Sequence, residues 1–321
     1  MVLVLVAGAT AVSAQAPEAT VDDLVRSAKA AAGRDWSGTF MRLCVPPAPG
    51  ARRGGGGGPQ PGPPARETWH AEPARVADNL YFLGTRVHHA WALTGSEGII
   101  IIEALFDYAT ADEILDGMKR MGLDRDDVRY VVLSHAHGDH DGGAKMLQDS
   151  LPGARLVYGA EDWDLATASP DRAGGVPRRD LDGTDGMVLS IGDASLQIVT
   201  VPGHTDGTLS YIFEATDNGQ PLRIAYVGGT AIPFDGDAAY YDRYIASSAK
   251  LARAAAEFGA TALLSNHTEF DNGLWKAHAA ADRIGIERNP FDVGAEGVAR
   301  YFQVVQDCTS AAKLRAAAAE G

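Results

Sequence analysis

The sequence predicts an α/β (α+β) fold in which two β-sheets pack together with helices outside. Short strand-like runs occur in two separate series, and each series gives way to helical segments. One of these strands, Val128 to Leu133, leads directly into a polar, glycine-containing loop, Ser134 to Gly143, the kind of junction that carries functional side chains.

The elements follow in chain order. Met1 to Ala16 is uncharged, holds the apolar stretch Val2 to Val6 and ends in the small-residue pattern Ala14-Gln15-Ala16. It reads as a secretory signal cleaved after Ala16, although no Lys or Arg precedes Arg26. Residues 17–45 read as an N-terminal helical segment. Val21, Leu24, Val25, Ala28 and Ala31 fall at three- and four-residue spacings, with Asp22 and Asp23 in the first turn, which predicts one helix over 21–43. From Pro46 to Ala65, fourteen of twenty residues are Gly or Pro, a flexible linker or long surface loop. The compact domain is expected over 66–321, beginning near Trp69.

Within that domain, strands are expected at Leu80 to Leu83, Ala90 to Thr94 and Ile99 to Ile102. A helix then runs from about Ala109 to Met121, with Ile114, Leu115, Met118 and Met121 on one face. The second strand series comprises Met187 to Ile191, Leu196 to Val201, Thr208 to Phe213 and Leu222 to Val227. A helix over Ala238 to Phe258, a strand over Thr261 to Leu264 and helices after Leu274 complete the chain.

Composition removes several function classes. Lys and Arg total 28 against 42 Asp and Glu, a net charge of −14 with no dense basic run, which argues against a sequence-independent nucleic-acid binder. No apolar run reaches the roughly 20 residues of a membrane-spanning helix. With two cysteines, Cys44 and Cys308, neither a Cys-rich zinc module nor a disulfide-dense scaffold is available. In an exported protein the pair would tether the N-terminal segment to the C-terminal helix, whereas in a reducing compartment both would be buried thiols. Sequence alone leaves both open.

The nine histidines are unevenly spread. His135, His137 and His140 fall with Asp139 in the loop after Val128 to Leu133. Neutral imidazole and carboxylate are good zinc ligands, and a loop leaving a strand end can aim several of them at one point. Gly138, Gly142 and Gly143 are expected to supply the tight turns this convergence requires. His204 and His267 also follow strands. Together these residues offer six ligands from three strand-end loops, enough for two metals with three protein ligands each and open positions for water and substrate. His70, His88, His89 and His278 lack such a setting, and for His88 and His89 a structural role is favoured over lining the pocket.

The run HxHxDHxGG at His135 to Gly143, the PGHT at Pro202 to Thr205 and the late His267 resemble the metallo-β-lactamase superfamily, over roughly Ala77 to His267. The resemblance implies a four-layer αββα sandwich with two Zn2+ at one edge of the sheets. It assigns His135, His137 and His204 to the first zinc, and Asp139, His140 and His267 to the second. After Ile224 to Val227 comes Gly228-Gly229-Thr230, where glyoxalase-type thioesterases, lactonases and many nucleases of the superfamily place a bridging aspartate. The B1 lactamases have cysteine there and subclass B3 usually serine. Thr230 is hydroxylic, so the sequence is most similar to subclass B3.

Two positions depart from the family pattern. Glu103-Ala104 stands where Asp and a small residue are common. The expected substrate border, Pro233 to Tyr244, offers Phe234, Tyr240, Tyr241 and Tyr244 but no lysine, which leaves substrate carboxylate recognition to Thr230 or to backbone N–H groups. The implied function is a zinc-dependent hydrolase that uses metal-activated water, foremost a B3-like β-lactamase opening a cyclic amide. Asp139 would orient the water and Thr230 would meet the substrate. Lactone, ester or thioester hydrolysis is the alternative within the class, and an iron-loaded oxidoreductase the alternative outside it. The expected partner is a small-molecule substrate, without nucleic acid or a membrane span. The expected location is periplasmic or secreted.

Overall fold

The computed structural model describes residues 19–47, 62–168 and 170–320. The expected signal at 1–16 and the central part of the Gly/Pro-rich stretch, 48–61, lie outside the described residues. The first sheet contains β1 (Ala74–Ala77), β2 (Leu80–Phe82), β3 (Trp91–Gly95), β4 (Gly98–Ile102), β5 (Val128–Val132), β6 (Arg155–Gly159) and β7 (Leu181–Gly183), paired in that order. The second contains β8 (Val188–Ser190), β9 (Ser195–Thr200), β10 (Leu209–Asp217), β11 (Gln220–Val227) and β12 (Ala262–Ser265), ordered β12-β11-β10-β9-β8.

Local chemistry explains the connections. β10 and β11 are antiparallel, with Asp217 opposite Gln220, and the two residues between them, Asn218 and Gly219, both have positive φ (51° and 71°). An Asn-Gly pair tolerates that conformation, and the turn's twist matches that of the strands. From β4 to β7 the strands are parallel, and so are β11 and β12. Parallel neighbours need crossovers, and the helix Ala238–Phe258 provides the one from β11 to β12.

Three apolar layers define the sandwich. Between the sheets, Phe82, Trp91, Leu93, Ile100 and Ile102 meet Leu196, Ile198, Tyr211, Phe213 and Ile224. The outer face of the first sheet packs Ile99, Ile101 and Val131 against Ile114, Met118, Leu147 and Trp163. The outer face of the second packs Val199, Ile212, Ala225 and Leu263 against Tyr241, Leu251 and Phe302. β4 is apolar along four consecutive residues because helices cover one of its faces and the other sheet covers its opposite face. The result is the expected four-layer αββα architecture.

The N-terminal segment differs from the single helix expected over 21–43. A first helix, Val21–Ala32, starts at a reciprocal Thr20/Asp23 capping box and ends at Gly33, whose φ is +52°. A second helix spans Ser37–Cys44. The break lets Trp36 enter the core, where it is fully buried and its Nε1 donates to the Gly297 carbonyl at 2.8 Å. Apolar spacing continues through the break, so periodicity alone could not reveal it. Both helices pack on the C-terminal helix Gly294–Glu320, and Cys44 is disulfide-bonded to Cys308. Strands β1, β6 and β7 were not anticipated; β7 (Leu-Asp-Gly) has a single apolar residue and is extended only because it pairs with β6.

Reducing the disulfide is expected to lower stability by about 2–4 kcal/mol. Thermal unfolding with and without reductant, with Cys308→Ser as the matching variant, measures this. Identical melting temperatures would mean that packing alone holds the terminal helices.

Candidate metal centre

Strand polarity brings the loops together. β4 and β5 are parallel, and β9, β11 and β12 share one direction because β10 runs antiparallel to both β9 and β11. Their C-terminal ends meet at one edge of the sandwich. Antiparallel neighbours begin there, so the residues entering β3 and β10 arrive at the same edge. The two sheets are joined at this point by Leu209 N–H, which donates to the Ser134 carbonyl at 2.7 Å.

His135, His137 and His204 place one ring nitrogen each within 4.8 Å of one another. The remaining hydrogen bonds identify the inward atoms. His135 Nδ1 pairs with Ser134 Oγ at 2.9 Å, whereas its Nε2 is buried without a partner among the described residues. His204 Nδ1 donates to the Ala231 carbonyl at 2.7 Å, leaving Nε2 3.1 Å from His137 Nδ1. Adjacent to this group, His140 Nε2 lies 2.9 Å from His267 Nε2 and 3.3 Å from Asp139 Oδ2. All six residues expected from the sequence thus converge as two neighbouring donor groups. Donors around a tetrahedral zinc with bonds of about 2.0–2.1 Å stand about 3.3 Å apart, so the spacings and the orphaned His135 Nε2 suit a metal ion.

Electrostatics favours the ligating form of most imidazoles. Burial and neighbouring imidazoles hold His135 and His267 well below the usual histidine range. Burial, then His137, lowers His204 to about 4. Burial opposes the Asp139 carboxylate, but His140, His88 and His267 outweigh it and hold the group below its ordinary value. His140 is raised: burial pulls it down, while Asp139 and Glu103 more than compensate. A cation entering here would displace the His140 proton.

Three buried carboxylates fix the loops, and of these only Glu103 stood out in the sequence, as a departure from the family pattern. Asp162 accepts from Ala136 N–H (2.8 Å), Thr205 Oγ1 (2.8 Å) and Gly207 N–H (3.0 Å), tying the first histidine loop to the His204 loop. Glu103, at φ +72°, accepts from Tyr226 OH (2.7 Å) and Ser134 N–H (3.3 Å), with Oε2 3.8 Å from His140 Nδ1. The departure at Glu103 is therefore an internal support for the site. Asp271 accepts from Ser265 N–H and Gly273 N–H, both at 2.7 Å, and braces the turn that carries His267. No local sequence pattern marks Asp162 or Asp271; each of the three acts on partners brought in by the fold.

Other expectations are corrected. None of Gly138, Gly142 and Gly143 has positive φ. Gly143 is required by close approach, since a Cβ there would lie 1.8 Å from Thr110 Oγ1, whereas one at Gly138 would meet only Phe106 at 3.9 Å. Tyr241 and Tyr244 are buried in the helix layer, donating to the carbonyls of Pro233 and Gly229, and do not form an open substrate border. Thr230 is 2% exposed and donates to Asn266 Oδ1 at 2.9 Å. His89 is structural as expected, with Nδ1 donating to the Ser265 carbonyl and Nε2 accepting from Thr268 Oγ1. His88 is not: its Nε2 lies 3.5 Å from Asp139 Oδ2, and it forms a candidate metal group with Asp139 and His267. His88 precedes a strand, β3, whereas the other candidate donors follow one. The missing signal was that an antiparallel strand begins at the edge where its neighbour ends.

Residues 83–217 match the family model of the Metallo-beta-lactamase superfamily. Similar solved structures include BJP-1, a subclass B3 metallo-beta-lactamase of Bradyrhizobium japonicum, with TM-score 0.65, 23% identity and coverage of 79% of this chain and 98% of that one. MEM-A1, a subclass B3 metallo-beta-lactamase from a soil metagenome library, gives 0.62, 25%, 78% and 98%. Sequence relatives include hydroxyacylglutathione hydrolases. That of Synechocystis sp. is 30% identical over 40% of this chain and 44% of its own length, and that of Acidiphilium cryptum is 28% identical over 67% and 86%. The chain thus spans less than half the length of the Synechocystis protein.

Two outcomes test this scaffold. Asp162→Ala leaves three donors without their acceptor and is expected to cost about 2–4 kcal/mol. It should also weaken metal uptake about 10–100-fold, so calorimetric melting with metal titration is the measurement. Burial pushes the Asp271 carboxyl up to about 7, against the pull of Lys276. Its folded state retains a proton that the unfolded chain releases near pH 4, so this group's stability contribution is present at low pH and falls as pH rises toward 7. Denaturant unfolding across that window should show a shallower decline for Asp271→Asn.

Proposed function

We propose that the protein is a dinuclear zinc hydrolase acting on a small-molecule substrate, and that its substrate class is the cyclic amide of β-lactams. The supporting observation is the donor set: two adjacent groups of imidazoles with a single anionic member, Asp139; the family resemblance adds that Thr230 stands where thioesterases of the superfamily place a bridging aspartate. His135, His137 and His204 would hold the first ion, and Asp139, His140 and His267 the second. Bound there, the two ions would supply Lewis acidity and lower the pKa of a water from about 15.7 toward 7.

The chain's own residues do the remaining work. The first group is three imidazoles, so no ligand charge diminishes the electrophilicity of its cation. Asp139 partly neutralises the second group and offers a carboxylate oxygen to orient the attacking water. Asn266 accepts from Thr230 and donates through Nδ2 to the Gly228 carbonyl at 2.7 Å, locking the Gly228–Thr230 turn beside the loop of His267. Thr230, buried and bonded to Asn266, would thus act on substrate binding by holding this turn.

The names of the hydroxyacylglutathione hydrolase relatives favour a second reading, thioester hydrolysis. A parallel screen of a penicillin, a carbapenem, a lactone and a thioester, with and without chelator, separates the two. Chelator-sensitive β-lactam turnover exceeding that of the thioester is expected, and the reverse order selects the second reading. His204→Ala should lose one metal ion and at least about 100-fold in turnover. Thr230→Ala should retain both ions while raising KM. Iron as the sole active metal in elemental analysis would select oxidoreductase chemistry instead. Among the described residues no helix is long and apolar enough to cross a membrane, and the Cys44–Cys308 bridge supports a periplasmic or secreted location.

A further inference from the structure

The second donor group contains one more residue than the family resemblance assigns to it. We propose that His88 is a fourth protein ligand of the second metal ion, an inference that rests on the metal-dependent reading above. His88 Nε2 stands 3.5 Å from Asp139 Oδ2, and His267 Nε2 stands 3.7 Å from the same oxygen on another side. His140 Nε2 is 3.3 Å from the same oxygen, and His88, Asp139 and His267 place one donor atom each within 4.8 Å of one another, close enough to share one small cation.

The backbone holds His88 in place independently of its side chain. Thr85 closes a tight turn on it, with Thr85 N–H donating to the His88 carbonyl at 2.7 Å and His88 N–H to Thr85 Oγ1 at 2.8 Å. Residues 88 and 267 are partners in an antiparallel bridge, flanked by Thr268 N–H to the Val87 carbonyl (2.9 Å) and His89 N–H to the Asn266 carbonyl (3.0 Å). The two loops therefore deliver their histidines as a pair. Phe106 packs edge-on against the His88 ring, with centroids 5.0 Å apart, and limits its rotation away from Asp139. A ring fixed by a turn, a bridge and an aromatic contact has lost its rotamer freedom before any cation arrives, which is how ligand positions are preorganised.

Four protein donors close a tetrahedral shell, the arrangement of tightly held ions, whereas three leave a position for solvent or substrate. The two sites would then be unequal. The second ion would be the more firmly bound, and the histidine-only group would keep the open position.

The test uses the full chain loaded with cobalt(II) or zinc(II). Wild-type protein should bind two ions, and His88→Ala should release the second at chelator concentrations at least about 10-fold lower. In cobalt-loaded His88→Cys, a sulfur-to-cobalt charge-transfer band should appear in the near ultraviolet, absent from wild type and from a His278→Cys control at a half-buried histidine outside both donor groups. A His88→Cys protein that binds two cobalt ions without that band overturns the inference, as does a His88→Ala protein with unchanged affinity for both ions. A wild-type chain that takes up no metal overturns the metal-dependent reading itself, a result distinguishable from the other two.

Discussion

The closure of two sheets over one shared apolar layer is the constraint on which the rest depends. Phe82, Trp91, Ile100 and Ile102 can leave water only by meeting Leu196, Ile198, Tyr211 and Phe213, and that contact sets how the strands of one sheet lie over those of the other. Once it is set, the ends of β4, β5, β9, β11 and β12 share an edge. Candidate donor side chains from residues as distant as 88 and 267 become neighbours as a consequence of core packing.

That edge carries an electrostatic cost which the fold offsets locally. Loops crowded with imidazoles leave backbone N–H groups away from water, and such groups must find acceptors. Glu103, Asp162 and Asp271 supply them, each from a different part of the chain. All three are pushed above the ordinary carboxylate range by burial. A similar economy governs the histidines: most are held neutral by burial and by one another, the form in which a ring nitrogen can donate to a cation.

The signals in the sequence were of unequal range. The cluster His135 to His140 was visible because its members are adjacent in the chain, and His204 and His267 because each follows an apolar run. The extent of the long helix Ala238–Phe258 was visible for the same local reason, but the faces of Tyr241 and Tyr244 were not, since orientation about a helix axis is set by what packs against it. Likewise Gly33 interrupts the N-terminal helix without interrupting its apolar spacing, and the break is explained by the burial of Trp36. Asp162 was indistinguishable from its acidic neighbours because its three donors come from loops on either side of it in the chain.

By itself, then, the amino-acid order determined the two series of strands, the covering helices and six candidate ligands, all properties written in spacings of a few residues. It also placed Cys44 and Cys308 without deciding between a bridge and two thiols; their proximity follows from packing of the terminal helices. Tertiary structure alone decided that His88 belongs with Asp139 and His267 while His89, its neighbour, belongs to the core. The physical reason is strand pleating and polarity: successive side chains point to opposite sides, and only the pairing of β3 with β4 says which end of a strand reaches the edge where the candidate donors gather.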